Sequence, residues 1–498
     1  MKPCLRALAA LSLLVAGGSL PAQRMDPVPT IAGPIVGPIE RGHRIVIGGR
    51  EIAYRAIFRE YPLSADGRPQ ATISATGYVR ADGPRDPARP VFFFFNGGPG
   101  ASSSPLHFSA FGPRLRPAAR DADAPFADNP DSPLDVADLV FVDPVGTGFS
   151  RVLPGGDGSR WWAPRGDAEA VATLVRNWLR DEGREGAPVF IAGESYGGFR
   201  LATMMADADD LNLRGLVLIS PATSMAGIAG AGEGDDRYVF AFPTMAAAAW
   251  FHGKVDRRGL SAEQFHDEAA RFAATDYLVA LHQGAALGAE ERARIAARMA
   301  GYIGLVPERI LAADLRIDND TFVQALLDDR GLLVGRLDAR VTAPVRPPAR
   351  ADRPAAANDP ALGLGASNVI LAPAITRYLR EEVGVPLTRD YVSLTLDVNF
   401  RWNWFEPTGD RRRYYNPLAN IARVMAARPG LELMVVGGLY DLAVPVAGAR
   451  HAVAHAGIPL ERTRFLTLPA GHSPFEEPAN RARFAAALRD LVNAGTSE

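Results

Sequence analysis

The sequence predicts an α/β fold with a mostly parallel central sheet and helices on both of its faces. Three observations carry that expectation. Short, dominantly apolar runs recur at residues 90–95, 139–142, 188–192, 216–219, 433–436 and 464–468. A strand that lacks polar alternation is one covered on both faces, as strands of a parallel sheet are. Stretches with helical periodicity lie between these runs. In 167–182, Ala168, Val171, Ala172, Val175 and Trp178 fall on one face, and 201–209, 446–455 and 480–492 also fit helices. Strand and helix therefore alternate, which is the order of a doubly wound sheet.

The remaining segments follow in chain order. Residues 43–80 read as β-rich, because 43–47 and 71–79 show period-two character with turn residues between them. Between Ile219 and Leu433 the alternation stops. Residues 260–345 are rich in Ala, Arg and Glu with a helical pattern, and 346–365, rich in Pro and Ala, read as an exposed connection. The division expected is a core from 24 to 221, a largely helical cap insertion over the sheet from 222 to 425, and a second core part from 426 to 498. At the N-terminus Lys2 and Arg6 precede a short apolar run, 7–16, and a small-residue exit at 17–22. That is the pattern of a secretory signal peptide, residues 1–23, and it predicts a periplasmic or secreted mature chain without a stable membrane anchor. The run is too short to span a bilayer.

A net charge of −2 over 498 residues gives no electrostatic case for nucleic acid or an anionic membrane. The only cysteine, Cys4, lies inside the signal segment. The mature chain then has no disulfide, no cysteine nucleophile and no thiolate metal site. His451 and His455 are one helical turn apart, but no acidic third ligand accompanies them in a recognisable motif, so a helix-surface role is the better reading. No metal and no cofactor is expected.

Gly193-Glu194-Ser195-Tyr196-Gly197 follows one apolar run and precedes a helix, as a G-x-S-x-G nucleophile elbow requires. A serine hydroxyl is a weak nucleophile until a base takes its proton. In the α/β-hydrolase arrangement that carries such an elbow, the acid and then the histidine follow the serine. His472, in the turn after 464–468, is the best placed of eight histidines; a solvated surface role suits His252, His266 and His282. Asp441 follows 433–436 and is the matching acid. Asp143 precedes the serine, so a turn role suits it better. Asn96-Gly97-Gly98-Pro99-Gly100 follows an early strand, where backbone N–H groups of a glycine-rich loop can receive an oxyanion.

These blocks resemble those of the serine carboxypeptidases. Asn96 to Ser103, Asp143-Pro144-Val145-Gly146-Thr147-Gly148-Phe149-Ser150 and Gly193 to Gly198 occur in that family's order, and Gly438 to Pro445 and Gly471-His472 are similar to its aspartate and histidine blocks. The resemblance implies Ser195 as nucleophile, His472 as base and Asp441 as its partner. It implies the N–H groups of Gly98 and Tyr196 as the oxyanion hole, and Asn96, Gly97 and Glu194 as residues that hold a peptide's terminal carboxylate. It implies a peptide substrate cut one residue at a time from its C-terminus. Esterase or acyltransferase chemistry on the same triad is the alternative, and a non-catalytic binding protein a further one. Two positions depart from the family: Phe94 stands for a tryptophan, and Ala110, fourteen residues after Asn96, for a glutamate. Arg114 or Arg200 could anchor a carboxylate in its place.

Overall fold

The computed structural model describes residues 28–84, 86–117, 124–223, 234–347, 355–404 and 416–496, so the expected signal segment lies outside the described residues. A ten-stranded sheet organises the chain. It opens with an antiparallel meander of β1 (Ile39–Ile47), β2 (Arg50–Ala65) and β3 (Arg68–Arg80). Asp66 and Gly67, both at positive φ, turn β2 into β3, as a two-residue hairpin requires. Then come β4 (Val91–Phe95), β5 (Asp138–Asp143), β6 (Val189–Glu194), β7 (Leu213–Ile219), β8 (Glu432–Gly438) and β9 (Thr463–Leu468). The spatial order is β1-β2-β3-β5-β4-β6-β7-β8-β9, with the short strand Arg151–Val152 beside β3. Every neighbouring pair from β5 to β9 is parallel.

The apolar runs are central because each side chain along them finds cover. In β4, Phe93 and Phe95 enter one core layer and Phe92 and Phe94 the other. The first layer is closed by α1 (Pro164–Asp181), through Val171, Leu174, Val175 and Trp178, and by α2 (Tyr196–Met204), through Phe199 and Leu201. The second is closed by the helix Pro478–Gly495, through Phe484, Leu488 and Leu491. Burial of each such side chain contributes about 1.5–3 kcal/mol, so the two layers fix the strand order on which the site depends.

The interval 222–425 is not uniform. The helices Asp236–Phe251, Ala262–Phe272, Ala289–Ile303 and Asn319–Ala325 build a third core around Phe242, Phe265, Met299 and Phe322. That core includes Leu439, Tyr440 and Leu442, so the inserted helices pack on the loop that follows β8. By contrast, Ile375, Tyr378, Val383 and Tyr391 join the layer that holds Tyr54 and Phe58. The boundary expected at 425 cuts the helix Leu418–Ala427, whose Ile421 and Val424 belong to the layer of α1 and α2. Short apolar helices of the first layer lack the strand that would have marked them as core in the sequence. Among the described residues no helix is long and apolar enough to cross a membrane.

Candidate active site

Strand β6 ends at Glu194 and α2 begins at Tyr196, which leaves Ser195 alone on the turn at φ 60° and ψ −126°. A non-glycine residue there is strained and persists only where its surroundings hold it. They do so by three backbone bonds: Ser195 N–H to Ile219 O at 2.8 Å, Gly198 N–H to Ser195 O at 2.9 Å and Ala222 N–H to the same oxygen at 3.1 Å. The flanking glycine is needed because strand and helix nearly touch. A Cβ at Gly193 would land on the carbonyl oxygen of Gly197. Ser195 remains half-buried, open to an incoming molecule, and its hydroxyl makes no hydrogen bond among the described residues.

Asp441 and His472 come from the loops after β8 and β9, the second and third strands beyond β6. Asp441 is fully buried. Its Oδ1 accepts Ala443 N–H at 2.9 Å and Val444 N–H at 3.1 Å, and its Oδ2 lies 2.7 Å from His472 Nδ1. A carboxylate only accepts, so Nδ1 carries the ring proton and Nε2 keeps its lone pair. Burial pulls the His472 pKa down, but the charge and hydrogen bond of Asp441, with the charge of Glu194, outweigh burial and leave it above its ordinary value. The contact with Asp441 thus favours the protonated ring.

The glycine-rich loop lies against the elbow. A Cβ at Gly97 would strike Tyr196 N and come within 2.6 Å of Gly197 N. This close approach sets the loop at Gly97 against the start of α2, whose opening amides have no acceptor inside the helix. Asn96 donates through Nδ2 to Glu194 Oε2, while its Oδ1 accepts Leu106 N–H at 3.3 Å. The other oxygen of Glu194 accepts from Ser473 Oγ at 2.7 Å, so one buried carboxyl ties the elbow to the residue after His472. Burial pushes Glu194 up to about 7, against the opposing charge of His472 and its hydrogen bond from Ser473.

The other predicted groups have structural positions. Ala110 is buried, so no acid stands where the glutamate was expected. Arg200 is buried and pairs with Asp167 at 2.6 Å, while donating to Asn96 O; Arg114 pairs with Asp128. The charge of each is thus already met by a carboxylate, although Arg200 Nη2 is buried without an acceptor. Asp143 is buried under the loop and accepts from Ser103 N–H and Oγ, both at 2.8 Å, and from Tyr391 Oη at 2.9 Å. The expected surface roles hold for His282, His451 and His455, but not for two others. His266 is buried, and His252 is half-buried with Nε2 2.7 Å from Ala339 O. His266 lies on the buried face of the helix Ala262–Phe272, and His252 caps the end of the helix Asp236–Phe251. Among the described residues no cluster of three or more candidate metal ligands occurs.

Several residues about the site carried no motif. Trp402 and Trp404 stand edge-on to the Tyr196 ring at 5.1 and 5.6 Å. The segment 336–339 crosses the Asp441–His472 pair, with Leu337 O accepting His472 N–H at 2.7 Å and Arg336 O accepting Leu442 N–H at 3.0 Å. Both lie far from the motifs in sequence, and only the inserted layer brings them in. A cavity of about 230 Å³ lined by Arg80, Asp82, Asp138 and Arg184 lies at the other end of the parallel strands. Its charges are paired, Arg89 with Asp138 at 2.9 Å among them, and it has no part in this site.

Comparison with known proteins bears on one stretch of the chain and on its fold. Residues 78–256 match the family model described as serine carboxypeptidase. Serine carboxypeptidase-like 36 of Arabidopsis thaliana is 34% identical over 142 residues, 27% of this chain and 28% of that protein. Serine-type carboxypeptidase F of Aspergillus niger is 27% identical over 144 residues, 27% of this chain and 25% of that protein. The matches thus span about a quarter of the length of these curated relatives. A solved prohormone-processing carboxypeptidase from Saccharomyces cerevisiae superposes with a TM-score of 0.54 at 13% identity, covering 88% of this chain and 90% of that one, which shows the shared α/β-hydrolase fold.

Proposed function

From the premise that residues 78–256 carry the sequence of the serine carboxypeptidase family on an α/β-hydrolase fold, we propose that this protein is a serine-type carboxypeptidase with Ser195 as nucleophile, His472 as base and Asp441 as its orienting acid. In this reading His472 Nε2 takes the Ser195 hydroxyl proton as Oγ attacks the carbonyl carbon of the last peptide bond. The oxyanion rests on the N–H groups of Gly98 and Tyr196. The imidazolium, held by Asp441, then gives its proton to the leaving amine, and one amino acid departs. Water, activated by the same ring, hydrolyses the acyl group from Ser195.

The observation that favours a peptidase acting at free C-termini is Glu194. It is a buried carboxyl next to the nucleophile, oriented by Asn96 and Ser473, with a pKa pushed up to about 7. A carboxyl that is protonated near neutrality can donate a hydrogen bond to a substrate carboxylate, which an ionised one would repel. Gly97 and Asn96 line the same corner. The alanine at 110 is the observation that favours the alternative, an esterase or acyltransferase, because it leaves Glu194 without a second acid. The pattern of residues 1–23 supports a mature enzyme in the periplasm or the exterior.

A peptide panel read by mass spectrometry tests this function. Loss of single C-terminal residues, slowed by C-terminal amidation, is the expected result. Turnover of simple esters with no release from any free-acid peptide would give the alternative its place.

A further inference from the structure

Arg336 belongs to no motif, yet its backbone is fixed between the two members of the acid–base pair. Its carbonyl accepts Leu442 N–H at 3.0 Å, the next carbonyl, of Leu337, accepts His472 N–H at 2.7 Å, and Ala339 N–H donates to Tyr440 O at 3.0 Å. Asp359 Oδ2 receives both the Arg336 and the Leu337 N–H at 2.8 Å and holds the strap in register. The side chain is half-buried, and its Nε–H is buried without a hydrogen-bond acceptor. Among the described residues no carboxylate pairs with the guanidinium. It lies close enough to His472 for its charge to oppose protonation of the ring.

Other arginines around the site are committed. Arg340 is held by Asp338 at 2.7 Å and by Glu477, and Arg114 by Asp128; Arg200 also has a buried Nη2 without an acceptor, but its charge is met by Asp167. An arginine with a buried, unsatisfied N–H beside a catalytic ring is costly unless an anion arrives to meet it. The guanidinium fork matches a carboxylate in two parallel hydrogen bonds, and its charge does not depend on pH.

We propose that Arg336 is a specificity-determining residue that receives a carboxylate of the leaving residue. The position fits the chemistry. His472 hands its proton to the leaving nitrogen, and the α-carboxylate of that residue is separated from this nitrogen by a single Cα. The carboxylate therefore lies within about one residue's length, roughly 3.8 Å, of the atom the ring serves. A side-chain carboxylate on the same residue reaches only a little further. This inference rests on the carboxypeptidase reading and supplies a second carboxylate contact where Ala110 offers none.

The test uses the mature enzyme, with N-blocked dipeptides as probes. Each is made with a free or an amidated C-terminus, and with Glu or Gln as the leaving residue. In Arg336→Gln the ratio of kcat/KM for free acid over amide falls about 10- to 100-fold, mainly through KM, as loss of a charge-assisted pair implies. Arg336→Lys restores part of it. If the Glu-over-Gln ratio collapses instead, the residue reads the side-chain carboxylate, and the proposal stands with that source. If both ratios survive in Arg336→Gln, whatever happens to absolute rates, the residue is structural and the proposal is overturned. Should the wild type release nothing from any peptide, the peptidase reading fails by itself. Inhibition of ester turnover by an N-acyl amino acid against its amide then decides Arg336. A preference lost in Arg336→Gln upholds the carboxylate site, and no preference in the wild type ends it.

Discussion

At the scale of single residues, Ser195, His472 and Glu194 have roles in this proposal that kinetics can separate. Ser195→Ala should lower kcat by roughly 10⁶-fold with the fold intact, since triad members act as a unit; near-normal turnover measured beside an unchanged circular dichroism spectrum would refute the nucleophile. The second prediction concerns pH. His472 must be neutral to act, and its pKa is raised, so activity climbs as pH rises through that value. Glu194 must be protonated to meet a carboxylate, and it sits at about 7, so kcat/KM on free acids declines as pH rises past it. The two groups interact, so the limbs of the bell belong to the pair. Glu194→Gln removes the alkaline limb, because an amide donates at any pH. It also removes a negative charge from beside His472, so the acid limb moves to lower pH. An alkaline limb that persists in the glutamine variant contradicts the role. The positions of Ser195 on the elbow and of the Asp441–His472 contact were legible in the sequence because each residue follows an apolar strand. The contacts of Ser473 and Arg336 were not, because they depend on which turns meet in space.

At the scale of elements, the site consists of strand ends and the turns that leave them. The six parallel strands were legible as apolar runs because both sheet faces are covered, and every one of those runs forms a strand. The interval after β7 was legible as helical but not as divided. Its alanines fill a separate core, while Ile375, Tyr391 and Ile421 return to the main sheet, and a helical period does not say which core a helix joins. The loop–elbow contact yields a prediction of its own. Gly97→Ala places a methyl group on the first amides of α2 and must displace the loop that carries Gly98. Loss of one oxyanion donor costs about 10²–10³ in kcat, so this variant should lose at least that while retaining a folded far-ultraviolet spectrum. Full activity in Gly97→Ala would show that the loop does not serve the oxyanion.

At the scale of the whole molecule, buried titratable groups link stability to pH. Burial raises Asp143 from 3.8 to about 6 and Glu194 from 4.5 to about 7, and the net effect of its neighbours raises His472 above 6.5. A group whose pKa is raised by folding contributes stability that is full below its unfolded pKa and is lost as pH rises through the folded one. For the carboxyls that window runs from their unfolded values, 3.8 and 4.5, to about 7, and for His472 it begins at 6.5. All three therefore favour the acid side, and Tm should fall between pH 5 and pH 8. The double variant Asp143→Asn, Glu194→Gln should flatten that fall; a Tm that rises over the range would contradict the assignment. The fold also depends on a fully buried ion pair, Arg151 with Glu60, which joins the short strand beside β3 to β2. Arg151→Met should cost about 3–5 kcal/mol by denaturant titration, because it strips a buried carboxylate of one partner. The central claim is that Ser195 releases residues from a free C-terminus through an acyl-enzyme. Its most direct test is a time course of one N-blocked peptide with wild type and Ser195→Ala, read by mass spectrometry. The account predicts successive single-residue losses from the C-terminus and none with the variant; internal cleavage, or the same losses with Ser195→Ala, would contradict it.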